Sequence, residues 1–252
     1  YYQFCQDNAG WLDDFALFYA LRQELGNQCW NQWPEDLKDR KPSAIKDAHH
    51  RLSSLVEEVK FEQFVFFRQW KELKAFARER NVLLFGDIPI FVSYDSSDVW
   101  ANREVFKLDK DGEMSVVAGV PPDYFSETGQ RWGNPHYDWK YLKKTGFKWW
   151  VDRIKTQDEL FDIVRIDHFR GLEAAWEIPA DEDTAINGQW VKAPGQALLK
   201  AIAKECASIS LVAEDLGIIT EEVDALRAEF DLPGMKILQF AFDGSSDNLY
   251  LP

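Results

Sequence analysis

The chain has 252 residues, 46% of them hydrophobic, and this size suits one large domain or two small ones. Its formal net charge of −14 argues against nucleic acids and anionic membranes as partners. Three widely separated cysteines give neither a disulfide framework nor a zinc-binding spacing, and no signal peptide or apolar run of transmembrane length is recognised, so we expect a reducing compartment. The chain starts at Tyr1 without a methionine and stops after an apolar tail, which predicts a piece of a longer protein.

The first eighty residues predict helices. Apolar residues recur at helical spacing over residues 11–25, where Gly26 is expected to end the first helix. Ser43 is expected to cap a second helix that continues to about Lys60, and a third is expected around 61–80. The predicted apolar side of this third helix consists of Phe61, Phe64, Val65, Leu73, Phe76 and Ala77.

Four apolar runs further along the chain predict β-strands, at residues 82–92, 162–167, 209–213 and 235–242. Helical patterns alternate with them, at residues 139–158, 196–207 and 221–230. This alternation is typical of a β/α barrel or of an open parallel sheet. No glycine-rich loop follows any of these strands, which argues against a Rossmann or P-loop nucleotide-binding fold.

A region at 93–137 is rich in proline, glycine, aspartate and aromatic residues. Within it, residues 107–115 predict a hairpin, whereas residues 119–139 have no helical or strand periodicity. Loops of this length in a compact domain are functional or disordered, and the aromatic residues argue against disorder. We therefore interpret 119–139 as an ordered loop over a site. Trp132 and Trp190 lie in polar stretches, where tryptophan can stack on a sugar ring, although core packing is its more usual role.

Ionisable residues are concentrated in the stretch from Phe161 to Leu172. Its apolar strand carries Arg165, Asp167 and His168, and burying such groups is costly unless they pair. Because Arg165 and Asp167 are two residues apart, both side chains point to the same face of the strand. The arginine keeps the carboxylate ionised, as a nucleophile or a metal ligand requires. A structural ion pair at the end of a strand explains the same pattern equally well.

Three predicted strands are followed by or end in a carboxylate: Asp87, Asp167 and Glu214. In a β/α barrel the carboxyl ends of the strands meet on one face. Two carboxylates in different environments there can act as nucleophile and general acid/base, and retaining glycosyl transfer uses such a pair about 5 Å apart. A divalent cation held by these carboxylates and His168 is the second possibility, although no clear further ligands are present. Asp87 alone could simply cap a turn.

Four sequence blocks together resemble the 4-α-glucanotransferases, the amylomaltases of bacteria and the disproportionating enzymes of plants in glycoside hydrolase family 77. The blocks follow the family's order, and they are GDIPIFV at 86–92, GVPPDYFSETGQRWGNPHYDW at 119–139, RIDHFRG at 165–171 and AEDLG at 213–217. The resemblance implies a (β/α)8 TIM-type barrel in the α/β class, of which this chain holds an incomplete portion. It implies one partial catalytic domain over residues 1–252, with a subdomain-like insertion around 93–137 that includes a long active-site loop.

The resemblance also implies the function. Members of the family move an α-1,4-glucan segment to the 4-hydroxyl of an acceptor sugar through a covalent glycosyl-enzyme, and they use no cofactor or metal. By position, Asp167 is the nucleophile and Glu214 the general acid/base, while Arg165 hydrogen-bonds the nucleophile and the sugar. The other implied substrate-binding residues are Asp87, Asp123, Tyr124, Gln130, Trp132, Asn134 and His168.

The implied partners are maltooligosaccharides, starch or glycogen, and the implied location is the cytoplasm, or the plastid if the source is a plant. The loop at 119–135 would cover the bound glucan and exclude water, which favours transfer over hydrolysis. We expect this lid, rather than the carboxylates, to make the protein a transferase.

The sequence departs from the family in one respect. The family has a third carboxylate in a His-Asp pair after the seventh strand, and none of the four histidines of this chain precedes an aspartate. The piece alone is therefore expected to be inactive or very weak. Two other functions stay open: an α-amylase-like hydrolase, which would only shorten glucans, and a glucan-binding module without turnover.

Overall fold

The structure is a computed structural model that describes residues 1–123, 126–242, 244, 247–248 and 250–251. The α-helices lie, in chain order, at Tyr2–Asp7 (α1), Ala9–Glu24 (α2), Glu35–Lys38 (α3), Pro42–Arg51 (α4), Ser53–Arg78 (α5), Ser97–Ala101 (α6), Trp139–Lys144 (α7), Lys148–Leu160 (α8), Gly195–Glu205 (α9) and Glu221–Glu229 (α10). The β-strands lie at Phe85–Ile88 (β1), Val116–Val120 (β2), Gln130–Pro135 (β3), Ile163–Ile166 (β4), Ala174–Pro179 (β5), Gln189–Lys192 (β6) and Ser210–Ala213 (β7). No helix within the described residues is long and apolar enough to cross a membrane.

Three strands form a parallel sheet in the order β1-β4-β7. Its register places Asp87 directly beside Arg165. Asp167 and Glu214 follow the last residues of β4 and β7, so both lie at the same edge of the sheet. The predicted α/β class is confirmed. In the described part of the chain, however, these three strands form an open sheet and not a closed barrel.

Two of the predicted strands differ from the structure. The run at 82–92 forms only the short strand β1, because Pro89 has no backbone N–H to donate to a neighbouring strand. The strand predicted at 235–242 was wrong, since the structure has a 3-10 turn at Leu238–Ala241. Its large apolar side chains are mostly exposed, and the segment joins neither sheet in the described part of the chain.

The segment predicted as a long loop, residues 119–139, instead contains strands. β2 and β3 pair within a second, antiparallel sheet of order β3-β2-β5-β6. Trp132 lies on β3 and Trp190 on β6, so neither tryptophan is in a loop. The alternation of apolar and polar residues that marks a strand is absent here. β3 is an edge strand that contains Gly133 and Pro135, residues that are rare within strands, and its register with β2 is shifted.

The hairpin predicted at 107–115 is confirmed. Leu108 and Met114 form an antiparallel bridge, and Gly112 turns the chain with a φ of +86°. The antiparallel sheet takes its strands from both sides of β4 in the sequence. The division of the chain into a partial barrel with an insertion around 93–137 stays a prediction.

The N-terminal helices agree with the sequence in type but not in their boundaries. α2 covers most of the helix predicted at 11–25. Ser43 does not cap a helix, because α4 begins one residue earlier at Pro42, which suits a first helical position since it needs no N–H there. The break between α4 and α5 falls at Leu52 rather than near Lys60.

Helix α5 faces the core with a side that agrees only in part with the prediction, since Ala77 is buried as expected. Its buried residues are Val56, Phe67, Lys74 and Ala77. Three members of the predicted apolar side are more than two-fifths exposed, namely Phe61, Leu73 and Phe76. Periodicity alone could not identify the packed side, because apolar residues lie around most of this helix. Its contacts with other helices, chiefly α2 and α8, select the face.

The buried lysine of α5 holds the helix that leads into the site. The ammonium group of Lys74 donates to the carbonyls of Asp158, Glu159 and Phe161, at 2.8, 3.3 and 2.7 Å. These carbonyls end α8, and a cation at a helix C-terminus satisfies its free acceptors and favours its dipole. Lys74 thus fixes the chain immediately before β4, the strand that carries Arg165 and leads to Asp167.

Lys74→Met is expected to lower the free energy of unfolding by about 1–3 kcal/mol, because it leaves buried carbonyl groups without a donor. Urea denaturation of the protein measures this change. The matched control is Lys71→Met on the same helix. Lys71 is half-exposed and pairs with the Glu159 carboxylate at the surface, so its removal should change stability by no more than about 0.5 kcal/mol. Equal effects of the two substitutions would contradict the capping role.

Candidate active site

One arginine joins two carboxylates at the edge of the parallel sheet. Arg165 Nη1 donates to Asp87 Oδ2 at 2.7 Å, and Nη2 donates to Asp167 Oδ1 at 2.6 Å. The guanidinium is only 22% exposed, whereas the side chains of Asp87 and Asp167 are 58% and 42% exposed. The prediction that Arg165 and Asp167 share a face is confirmed. Arg165 holds both carboxylates in position, and the exposed parts of Asp87 and Asp167 are accessible to a ligand.

Glu214, the third predicted carboxylate, lies in a different environment. It is buried, and its two oxygens accept from backbone N–H groups: Oε2 from His168 and Oε1 from Leu216, both at 2.8 Å. Burial raises the pKa of Glu214, and the charge of Asp167 acts in the same direction, against the two N–H bonds and Arg165. Burial favours the protonated form. A partly exposed carboxylate bound to a cation and a buried one whose pKa is raised are the combination a nucleophile and a general acid need.

The backbone of His168 makes this arrangement possible. Its φ of 50° and ψ of 48° lie in the left-handed region, which few residues other than glycine, asparagine and aspartate adopt. This turn points the His168 N–H at Glu214. Burial, aided by the charge of Arg170, lowers the pKa of the His168 imidazole to about 4. The ring is therefore neutral at physiological pH.

An aromatic surface lies beside this histidine. The ring of Trp132 stands perpendicular to that of His168, with their centroids 4.9 Å apart. Trp132 Nε1 donates to Gln130 Oε1 at 3.1 Å, and the indole packs against Phe91. Trp132 is 38% exposed, so part of it can contact a ligand. The second sheet thus brings Gln130 and Trp132 to the histidine that follows β4.

The remaining predicted binding residues have other contacts. Asn134 Nδ2 donates to the carbonyl of Val92 at 2.9 Å and so ties β3 to the segment after β1. Asp123 is exposed, and its Oδ1 accepts from the backbone N–H of Ser126 at 2.9 Å. Tyr124 lies outside the described residues. The substrate-binding roles of these residues stay predictions.

Two contributors to the site were not found from the sequence. Leu216 acts through its backbone N–H, which carries no sequence signal. Phe91 supports Trp132, but it is one apolar residue in an apolar run. Among the described residues, no group of three or more histidine, cysteine or acidic side chains is arranged to hold a metal ion.

Comparison with known proteins identifies the family. The profile described as 4-alpha-glucanotransferase, that of glycoside hydrolase family 77, matches residues 1–252. The chain belongs to this family. The 4-alpha-glucanotransferase of Synechocystis is 52% identical over 252 residues, which cover 99% of this chain and 50% of that protein. The 4-alpha-glucanotransferase of Thermus thermophilus is 53% identical over 249 residues, again 99% of this chain and 50% of the relative.

A solved structure gives the same assignment. The amylomaltase of Streptococcus agalactiae, determined in complex with acarbose, superposes with a TM-score of 0.94 at 39% identity. The match covers 99% of this chain and 51% of the amylomaltase. The resemblance of the four sequence blocks to the 4-alpha-glucanotransferases is therefore confirmed. The chain spans about half the length of the curated relatives it matches.

The low pKa of His168 predicts how the stability of this chain depends on pH. Folding lowers the pKa from the usual 6.5 to about 4, so the native state resists protonation of this ring. The contribution of His168 is fully present above about pH 6.5 and is lost as the pH falls towards 4. His168→Asn tolerates the left-handed backbone and removes the titration. The variant should lose less stability than the parent between pH 7.5 and 4.

Urea denaturation of parent and variant at a series of pH values measures this difference. Subtracting the values at pH 7.5 removes the cost of the lost ring contacts. Parallel stability curves for the two proteins would mean that burial of the imidazole does not affect its protonation.

Proposed function

We propose that the complete protein containing this chain is a 4-α-glucanotransferase that acts on α-1,4-glucans such as maltooligosaccharides, starch or glycogen. The observation that carries the proposal is the pair of unlike carboxylates at one sheet edge, Asp167 held by Arg165 and Glu214 buried with a raised pKa. The proposal includes a (β/α)8 barrel, to which β1, β4 and β7 would contribute three neighbouring strands. It concerns the whole protein, because this chain covers about half of its curated relatives.

In the first step, a carboxylate oxygen of Asp167 attacks the anomeric carbon of the donor. The bond from that carbon to the glycosidic oxygen breaks, and Glu214 gives its proton to the departing oxygen. Burial raises the pKa of Glu214, which favours the protonated form that this step requires. Arg165 keeps the attacking oxygen of Asp167 in place through its 2.6 Å bond to the other oxygen.

In the second step, the 4-hydroxyl of the acceptor attacks the same carbon and Asp167 leaves. Glu214, now ionised, takes the hydroxyl proton and returns to its starting state. The N–H groups of His168 and Leu216 stabilise the carboxylate between the two steps. The same base could activate water, so the product depends on which hydroxyl reaches the site.

The antiparallel sheet supports transfer over hydrolysis. Trp132 projects from β3 to the neutral ring of His168, next to Glu214, where a sugar could stack on the exposed part of the indole. An acceptor sugar held there would displace water from the second step. The third carboxylate that the family resemblance implies is proposed to lie in the part of the protein that corresponds to the other half of the relatives. The cytoplasmic, or in a plant plastidial, location stays a prediction.

Incubation of the full-length protein with maltotriose tests the proposal. We expect glucose together with chains longer than maltotriose, separated by chromatography. Asp167→Asn should lower the rate of both by at least about 1000-fold, because it removes the nucleophile. Asp152→Asn is the matched control, since Asp152 is exposed on α8 and pairs with Lys148, and it should leave both rates unchanged.

Other product patterns would overturn the proposal. Glucose and maltose alone would indicate a hydrolase of the α-amylase type. Binding of maltotriose without any product would indicate a glucan-binding module.

The two carboxylates can be told apart with α-maltosyl fluoride, whose leaving group needs no proton. Glu214→Gln is expected to release a burst of roughly one equivalent of fluoride per enzyme, at a rate within about tenfold of the parent. Turnover should then stall, because no base activates the acceptor. Asp167→Asn should give no burst, as measured with a fluoride electrode in a rapid-mixing experiment. A burst from Asp167→Asn and none from Glu214→Gln would exchange the two roles.

A further inference from the structure

Arg170 is a buried cation that the site described so far does not use. It lies in the 3-10 turn Phe169–Leu172, directly after His168, and is only 6% exposed. It forms no salt bridge within the described part of the chain, and its Nε is buried without a hydrogen-bond partner. Glu173, the nearest acid in sequence, pairs instead with Lys192. The charge of Glu173 acts favourably on Arg170 without a direct ion pair, but burial outweighs it and lowers the pKa of Arg170. Burying a charge that no carboxylate contacts directly costs free energy, so the other contacts of Arg170 have to stabilise it.

Two contacts account for its guanidinium. Nη1 donates to the backbone carbonyl of Ile218, and Cζ lies 3.8 Å from the centroid of the Trp190 ring. Trp190 lies on β6 and packs edge-to-face against Trp176 of β5, with centroids 5.2 Å apart. One side chain therefore links the antiparallel sheet to the segment after β7. The indole face supplies part of the stabilisation that a carboxylate would otherwise give.

The segment held by Arg170 is the one that carries Glu214. Residues 214–220 connect β7 to α10 without regular structure. Within it, the N–H of Leu216 donates to Glu214 Oε1, and Gly217 turns the chain with a φ of +80°. The start of the connection is fastened by backbone hydrogen bonds of Glu214 to Ile166 and Phe169. Ile218 follows the turn, and its carbonyl is a second attachment, held by Arg170. Leu216, whose N–H bonds the Glu214 carboxyl group, lies between these two attachments.

We propose that Arg170 is a positioning residue for the general acid/base: by clamping the carbonyl of Ile218 against Trp190, it holds the 214–220 segment closed over Glu214. The inference rests on the proposed function of Glu214. Arg170 touches neither carboxylate, so it acts through the segment and not on the substrate. A structural filler of the same volume would not need a charged donor aimed at a single carbonyl.

The clamp has a consequence for proton transfer. Burial is the largest influence on the pKa of Glu214 and raises it. The charged groups that act on Glu214 are Asp167 and Arg165, both at β4, while His168 contributes its backbone N–H and a neutral ring. Arg170 is not among the influences on the Glu214 pKa. Loosening the segment would admit water, which lowers that pKa, and would weaken the bond from the Leu216 N–H, which raises it. Burial is the larger of the two influences, so the net change is expected to be a lower pKa.

The test compares Arg170→Met and Arg170→Lys with the parent in the full-length protein. With maltotriose, whose leaving group needs a proton, kcat/KM should fall by about 10- to 100-fold in Arg170→Met. The high-pH limb of its pH profile should move to lower pH. The fluoride burst from α-maltosyl fluoride should fall by less than about threefold, because that step needs no acid. Arg170→Lys keeps a donor but loses the planar stacking group, so its kcat/KM for maltotriose should lie between those of the parent and of Arg170→Met.

Arg103→Met is the matched control. Arg103 also lies over a tryptophan, with its Cζ 4.8 Å from the Trp30 ring centroid, and its Nη2 donates to the carbonyl of Asp111. It has no contact with residues 214–220, so the high-pH limb should not move. Trp190→Leu removes the other half of the clamp without touching Arg170, and it should shift the limb in the same direction as Arg170→Met.

The results distinguish failure of the proposed function from failure of the positioning role. If the parent itself makes no transfer products, the proposed function fails. If the parent transfers but Arg170→Met lowers the maltotriose and fluoride reactions equally, with an unchanged pH profile, the positioning role is overturned. The positioning role is also overturned if Arg170→Met and Trp190→Leu both leave the maltotriose reaction unchanged.

Discussion

The hydrogen bonds of Arg165 to two aspartates determine the geometry of the whole site. The guanidinium bonds Asp87 on the neighbouring strand and Asp167 beyond its own strand end, and this is possible only because the β1–β4 register aligns Asp87 with Arg165. A slip of one residue would turn these side chains to opposite faces. The shared cation also limits the repulsion between two carboxylates at the same edge. Everything proposed for Asp167 depends on this register.

Glu214 shows how the same sheet edge can hold two carboxylates of different character. Asp167 is partly exposed and bound to a cation, whereas Glu214 is buried and bound to backbone N–H groups. A buried glutamate with a raised pKa reduces stability at neutral pH, because its ionised form is less favourable in the folded than in the unfolded protein. The left-handed backbone of His168 adds a further cost. Such costs are typical of active sites, where function opposes stability.

The two sheets contribute different groups to the site. The parallel sheet presents the carboxylates, and the antiparallel sheet presents Trp132 and Trp190. Two of the contacts that join the layers pass through the short stretch that follows β4: the rings of Trp132 and His168, and the clamp formed by Arg170 and Trp190. Asp167, His168 and Arg170 therefore lie between the two layers that this stretch joins.

Local sequence determined much of the fold and the acidic part of the site. The apolar runs before Asp167 and Glu214 were sufficient to predict β4 and β7, and the two-residue spacing of Arg165 and Asp167 was sufficient to predict their pairing, because both depend on short-range geometry. The reaction was predicted from the resemblance to the 4-α-glucanotransferase family. Predictions of secondary structure were wrong where the local pattern was ambiguous: the apolar run at 235–242 forms no strand, and β3 was predicted to be a loop.

Only the tertiary structure decided which residues act together over long distances. The N–H of His168 reaches the Glu214 carboxylate across 46 residues, and the Arg170 guanidinium reaches Ile218 across 48. Trp132 meets His168 because an edge strand that no periodicity revealed brings it there. These contacts depend on sheet order, on backbone turns such as that at His168 and on burial. None of the three is encoded in the identity of a single residue, since each arises only when distant segments pack together.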